Sequence, residues 1–287
     1  MRLVTFKKGK GSQVGVRTAA GIVDLSIAAK NLPQDMIGLI SAGKGALNKA
    51  AAAAKKAKPG AIVKGRPTML PPIPNPGKII CVGLNYSDHA AEANLGIPTS
   101  AILFLRVPGS IVGHGQAIIR PKASKHFDYE AELMVVIGKK GRNIPKSRAL
   151  DYVAGYSVGN EGSIRDFQMK ASQWTLGKNF DNTGSWGPDL VTADEVKKGG
   201  KGLNIETRLN GKVLQSSNTK NMIFDTQAII NAASVAMTLE PGDIIFSGTP
   251  AGVGFVRKPP VFMKPGDTCE IEIEGLGILR NPVRAEK

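Results

Sequence analysis

Two glutamates one residue apart, Glu130 and Glu132, open an apolar, β-branched run: Asp128-Tyr129-Glu130-Ala131-Glu132-Leu133-Met134-Val135-Val136-Ile137-Gly138. Side chains alternate across a strand, so both carboxylates point to one face. Like charges that close repel unless a cation or a proton stands between them, and acids at such positions forgo apolar burial. A hard divalent cation, which prefers oxygen ligands, answers both problems. The same spacing also fits a half-exposed edge strand with two solvated glutamates.

Four other segments hold chemistry-bearing side chains. Residues 82–93 place His89 and Glu92 three apart, on one face if the segment is helical. Residues 155–168 contain Asn160, Glu161, Arg165, Asp166 and Gln168. Lys178 stands in Leu176-Gly177-Lys178-Asn179, with Gly187-Pro188 close behind, and Thr249 in the loop Gly248-Thr249-Pro250-Ala251-Gly252-Val253-Gly254. His114, in the turn Gly113-His114-Gly115, and His126, just ahead of the acidic strand, read as structural or peripheral.

The elements that must position these groups are mostly strands. Residues 2–24 read as short strands broken by Gly9, Gly11 and Gly21, and residues 44–58 as an alanine-rich surface helix. Pro59-Gly60, Pro67, Pro71-Pro72, Pro74 and Pro76-Gly77 then mark a boundary near residue 75. The expected organisation is a small N-terminal α+β domain over residues 1–75 and a larger domain over 76–287. In the latter, residues 203–209 alternate apolar and polar ahead of Asn210-Gly211, a strong hairpin signal. Helices are expected near 87–94, 146–151, 162–170 and 225–238. Pro241-Gly242-Asp243 and Pro265-Gly266-Asp267 mark further strand starts. The fold class is therefore mixed and β-rich, of the α+β kind.

Composition narrows the function classes. With 287 residues, 42% hydrophobic and 21% charged, the chain can bury a large core. A net charge of +15 invites a nucleic-acid reading, but the lysine clusters at 7–10, 55–58 and 197–201 lie far apart and lack interleaved aromatics. They read as solvated surface, with electrostatic attraction of a small anionic substrate as the alternative. Cys81 and Cys269 form neither a disulfide framework nor a zinc motif. No apolar run is long enough to span a membrane and the first residues lack a signal peptide's apolar core, so a cytoplasmic, membrane-free protein is expected.

Taken in order, D-Y-E-x-E-L, R-D-x-Q, G-K and G-T-P-A-G-V-G resemble the fumarylacetoacetate hydrolase family, over about residues 78 to 283. The resemblance implies a twisted, rolled β-sheet domain around a divalent cation, usually in a homodimer, with chemistry on small oxo-carboxylates. Glu130 and Glu132 match two family ligands for Mg²⁺ or Mn²⁺. The third family ligand is an aspartate, where this chain has Glu161; the extra methylene moves the carboxylate by about 1.5 Å and could favour a larger ion such as Mn²⁺ or Ca²⁺. Asp166, a conceivable substitute, matches the family's own arginine–aspartate pair instead. His89 and Glu92 match a dyad on a mobile segment, in which the glutamate orients an imidazole that takes a proton from water. Lys178 matches a lysine that stabilises an enolate. Gln168 and Thr249 match contacts to the keto-acid end. Arg106 stands where members often carry lysine, as a candidate for a distal carboxylate, and Arg165 reads as the structural partner of a carboxylate.

The function this implies is metal-dependent hydrolysis of a carbon–carbon bond in an acylpyruvate-like 1,3-diketo acid, in catabolism of aromatic or related compounds. The alternative is a decarboxylase, isomerase or lyase acting on a related oxo-acid through an enolate. A minor alternative is a non-catalytic binding protein whose metal site has drifted at Glu161. The pocket for the distal half of the substrate is expected from the N-terminal domain and from loops 93–103 and 255–262.

Overall fold

The computed structural model describes residues 1–92 and 96–287. Three antiparallel strands open it: β1 (Arg2–Lys8), β2 (Gly11–Thr18) and β3 (Gly21–Asp24). Gly9 and Gly21 take φ of 60° and 122°, which a side chain would strain, so the expected breaks lie where glycine is needed. Helices α1 (Leu25–Ala28), α2 (Met36–Ser41) and α3 (Gly43–Lys55) follow. Asp24 and Asp35 cap the first two by accepting backbone N–H groups. The alanine-rich helix stops before residue 58, because Pro59 disfavours a helical residue ahead of it and Lys58 is extended.

The rest of the chain runs β4 (Ile79–Gly83), α4 (Ser87–Glu92), β5 (Ile102–Arg106), β6 (Ile111–Val112), β7 (Ile118–Arg120), β8 (Phe127–Asp128), β9 (Ala131–Ile137), β10 (Val153–Asn160), β11 (Ser163–Ile164), α5 (Arg165–Gln168), α6 (Thr175–Lys178) and β12 (Gly184–Thr192). It closes with β13 (Asn204–Leu209), β14 (Lys212–Asn218), α7 (Thr226–Ala236), β15 (Ile244–Phe246), β16 (Thr268–Ile273) and β17 (Gly277–Ala285). A ten-stranded sheet has the order β3-β2-β1-β12-β10-β9-β15-β4-β5, with β6 on β12. A five-stranded sheet has the order β14-β13-β16-β17-β7.

Strand β9 sits in the middle of the large sheet, between β10 and β15, and is buried along its whole length. Leu133, Val135 and Ile137 pack with Ile205, Ile271 and Leu279 of the five-stranded sheet. Met134 and Val136, on the other face, pack with Leu3, Leu39, Trp186 and Phe246. Burial on both faces explains a continuous apolar run in place of alternation. The solvated-edge reading of the two glutamates therefore fails.

Other elements differ from expectation in instructive ways. Residues 162–170 yield only the short α5, because Ser163 and Ile164 pair with Asp128 and Phe127. Residues 146–152 form a 3-10 turn, and α4 ends at Glu92, the remainder of its expected span lying outside the described residues. The hairpin forms as read: Asn210 and Gly211 take φ of 52° and 80° between β13 and β14. No helix among the described residues is long and apolar enough to cross a membrane.

Candidate active site

The register of two strands brings the acids together. Ala131 pairs with Asn160, Glu161 N donates to Glu130 O at 2.9 Å, and Glu130 N donates to the Asn160 side chain at 3.0 Å. Glu161, which follows β10 directly, thus lands beside Glu130 and Glu132 despite thirty residues of intervening chain. One carboxylate oxygen from each of Glu130, Glu132 and Glu161 lies within 4.8 Å of the other two. The three are 4%, 1% and 2% exposed.

Two cations lean on this cluster. Lys178, delivered by α6, has its Nζ 2.6 Å from Glu130 Oε2 and 2.9 Å from Glu161 Oε2. Arg165, at the start of α5, places Nη2 2.6 Å from Glu130 Oε1, donates from Nε to Asp128 and from Nη1 to Gln168 Oε1. Burial raises the Glu130 carboxyl, but Arg165 and Lys178 outweigh burial and hold it at about 2. Glu132 makes neither contact. Burial, with the charges of Glu161 and Glu130, pushes it well above the ordinary carboxylate range, although Gly248 N donates to it at 2.6 Å. The Lys178 ammonium stays charged against its burial because Glu130 and Glu161 raise it.

These residues fit a divalent cation. Oε1 of Glu161 is buried without a hydrogen-bond partner, and an all-oxygen donor set suits a hard ion. Glu130, Glu132 and Glu161 could hold it. The additional methylene of Glu161 does not carry its carboxylate out of the group, and Asp166 lies elsewhere, accepting from Ser124 Oγ at 2.6 Å.

A cavity of about 320 Å³ opens on the cluster and brings together His89, Glu130, Glu132, Glu161, Gln168, Lys178 and Thr249. His89 Nδ1 is 3.1 Å from Glu92 Oε1, and Glu92 Oε2 accepts the Gly252 N–H at 2.7 Å. Helix α4 is held from outside the cavity as well. Asp88 accepts from Ser217 Oγ at 2.5 Å, and Asn85 donates to the carbonyls of Phe224 and Ser247. Thr249 Oγ1 accepts from Gln215, whose carbonyl accepts Ala131 N, so one amide joins the acidic strand to the Gly248-Thr249-Pro250 loop.

Arg106 corrects the expectation made for it. It does not line the cavity. Its guanidinium is 4% exposed and donates to Ser110 Oγ, the Gly162 carbonyl and Thr183 Oγ1, which leaves it no path to a substrate carboxylate. Residues 1–75, from which part of the lining was expected, likewise contribute nothing to it: β1–β3 extend the same sheet beyond β12, on the side away from β4 and β5. Phe255 and Val256 of the 255–262 loop do line it. His114 accepts from Arg280 N, and His126 is half exposed. The residues sequence reasoning missed are Trp174 and Phe104, packed edge to face at 5.4 Å beside Lys178, and Gln215. They come from separate loops and strands, so no spacing announces them.

Residues 78–284 match the family model described as fumarylacetoacetate (FAA) hydrolase C-terminal. The chain is 44% identical to "Oxaloacetate tautomerase Fahd2a, mitochondrial" from Rattus norvegicus, over 99% of this chain and 91% of that protein. Among solved structures it resembles fumarylacetoacetate hydrolase from Exiguobacterium antarcticum, with 35% identity and a TM-score of 0.85 over 100% of both chains. It also resembles maleylpyruvate hydrolase from Sphingobium sp. SYK-6 in complex with manganese (II) ion and pyruvate, with 29% identity and a TM-score of 0.83 over 100% of both chains. A buried carboxylate cluster beside a lysine, on a sheet shared with such relatives and within a match across most of the chain, makes this protein a member of the fumarylacetoacetate hydrolase family.

Proposed function

We propose that the protein moves a proton at C3 of a small 2-oxo acid, exchanging the keto and enol forms of an oxaloacetate-type substrate. One observation carries this reading. His89 has Nδ1 tied to Glu92 and lines the same cavity as the carboxylate cluster, and its Nε2, with no hydrogen-bond partner among the described residues, can exchange a proton with whatever the cavity holds. A divalent cation, Mg²⁺ or Mn²⁺, when held by Glu130, Glu132 and Glu161, would polarise the 2-oxo acid and make the C3 proton acidic.

The chain's own groups supply the rest. Lys178 keeps a positive charge at the cavity wall, where it favours the negative charge that develops on the oxygen. Gln168 and Thr249 offer polar contacts for the carboxylate end. The rat relative, which matches almost the whole chain, is named an oxaloacetate tautomerase, and this supports the isomerase branch over carbon–carbon hydrolysis.

Hydrolysis of an acylpyruvate remains the second reading, favoured by the likeness to a maleylpyruvate hydrolase that holds manganese and pyruvate. In that case His89 would take its proton from water. Enol oxaloacetate and a short acylpyruvate, each followed by loss of enol absorbance with Mn²⁺ or Mg²⁺ and again with EDTA, separate the two. The expected result is accelerated, metal-dependent decay of enol oxaloacetate to the keto form with no pyruvate released. Release of pyruvate and a free acid from the acylpyruvate, with oxaloacetate untouched, would overturn it.

A further inference from the structure

We infer that the cavity also accepts enolisable 2-oxo acids with an aromatic or branched apolar group on C3, of the arylpyruvate type; this rests on the reading of C3 proton transfer above. The polar lining is confined to the groups already described. The rest is apolar, with Leu84, Phe104, Met169, Trp174, Phe255 and Val256 among it. At about 320 Å³ the cavity reaches the range of roughly 300–1,000 Å³ that holds drug-sized ligands, more than a four-carbon acid fills.

The cations decide what that wall can bind. Among the described residues only Arg165 and Lys178 bring full positive charges to the lining, and both lie against the carboxylates: Arg165 on Asp128 and Glu130, Lys178 on Glu130 and Glu161. Nearby Arg257 directs its guanidinium to the carbonyls of Gly252 and Leu214, and Lys170 lies over the Phe167 ring. Residues 93–95 are Ala, Asn and Leu and add no charge. A carboxylate reaching past the four carbons of oxaloacetate would enter the apolar wall without a cation of its own, an unfavourable desolvation, whereas an aryl group would meet matching surface.

The wall is shaped as well as apolar. Trp174 stands edge to face with Phe104, 79° between planes, and its ring covers Gly83: a Cβ added there would come within 2.1 Å of the indole. Glycine at 83 thus lets the indole lie against the end of β4, at the mouth of the acidic cluster. The reaction needs no co-reactant. The C3–H bond breaks and its proton goes to His89 Nε2, its electron pair becomes the C2=C3 bond, the C2=O π pair passes to the oxygen, and His89 returns the proton to that oxygen, which restores the neutral imidazole.

The test compares phenylpyruvate with oxaloacetate on the Mn²⁺-loaded protein, wild type and Trp174→Ala, reading kcat/KM for enol–keto exchange together with quenching of tryptophan fluorescence. Trp186 is fully buried, so quenching reports on Trp174. Phenylpyruvate is expected to be exchanged within tenfold of oxaloacetate and to quench, and the variant is expected to lower the phenylpyruvate-to-oxaloacetate ratio tenfold or more through KM. Exchange of oxaloacetate without exchange or quenching by phenylpyruvate overturns the inference and leaves the proposed function standing, as does an unchanged ratio in the variant. If neither acid is exchanged, the C3 reading falls. Selective quenching by phenylpyruvate then still supports the apolar site, and its absence overturns that too.

Discussion

Glu92 joins His89 to Gly252: one carboxylate oxygen lies 3.1 Å from the imidazole Nδ1 and the other accepts the Gly252 N–H at 2.7 Å. The contact makes Nδ1 the donor, so the lone pair sits on Nε2, and it ties α4 to the loop that presents Thr249. His89→Ala is expected to lower kcat by about 10²–10⁴, the usual contribution of a positioned acid–base group. Glu92→Gln should lower it less and displace the pH profile of kcat/KM. Neither residue belongs to the carboxylate cluster, so the rise in Tm on adding Mn²⁺ should survive in both; its loss in either would contradict the separation of roles.

Metal binding should be visible in stability. An ion that binds only the folded state at 100 times its Kd adds about 2.7 kcal/mol. A rise in Tm with Mn²⁺, reversed by EDTA, is expected for the wild type and absent for Glu161→Gln. Glu161→Asp withdraws the carboxylate from Lys178, now 2.9 Å away, and should bind the ion at altered affinity without abolishing the shift. Calorimetric titration of the three proteins checks this.

Glu130 and Glu132 should act on stability with opposite signs when no metal is present. Glu130 falls from 4.5 to about 2 on folding, so its contribution is present above pH 4.5 and is lost as pH falls toward 2. Glu132 is raised on folding, so its contribution is fully present below pH 4.5 and is lost as pH rises from there through its elevated value. At pH 7 the metal-free Glu132→Gln protein should therefore melt higher than wild type while losing the Mn²⁺-dependent gain. Glu130→Gln should melt lower, since it removes the negative charge facing Lys178 and Arg165. Melting curves from pH 3 to 8 decide both.

Arg106→Lys keeps the charge but cannot span Ser110, Gly162 and Thr183 at once. Buried acceptors left unsatisfied cost about 1–3 kcal/mol, so a loss of stability of about 2 kcal/mol is expected with KM unchanged. A raised KM at unchanged stability would return Arg106 to substrate binding.

Residue types and spacing marked the Glu130–Glu132 pair and the His89–Glu92 pair, while Glu161, Lys178, Gln168 and Thr249 were marked by the resemblance to the family. Seven of these eight residues line one cavity, and Glu92 reaches it through His89. Local patterning also determined the strands of residues 2–24, the Asn210-Gly211 hairpin and the mixed, β-rich class. Only the tertiary structure decided that β9 is central and buried on both faces, that Arg106 serves the packing of Gly162 and Thr183, and that Trp174 meets Phe104 over Gly83. Strand order, register and the burial of a charge depend on partners far apart in the chain, and short-range spacing holds no information about which distant side chains will satisfy a guanidinium or cover a glycine.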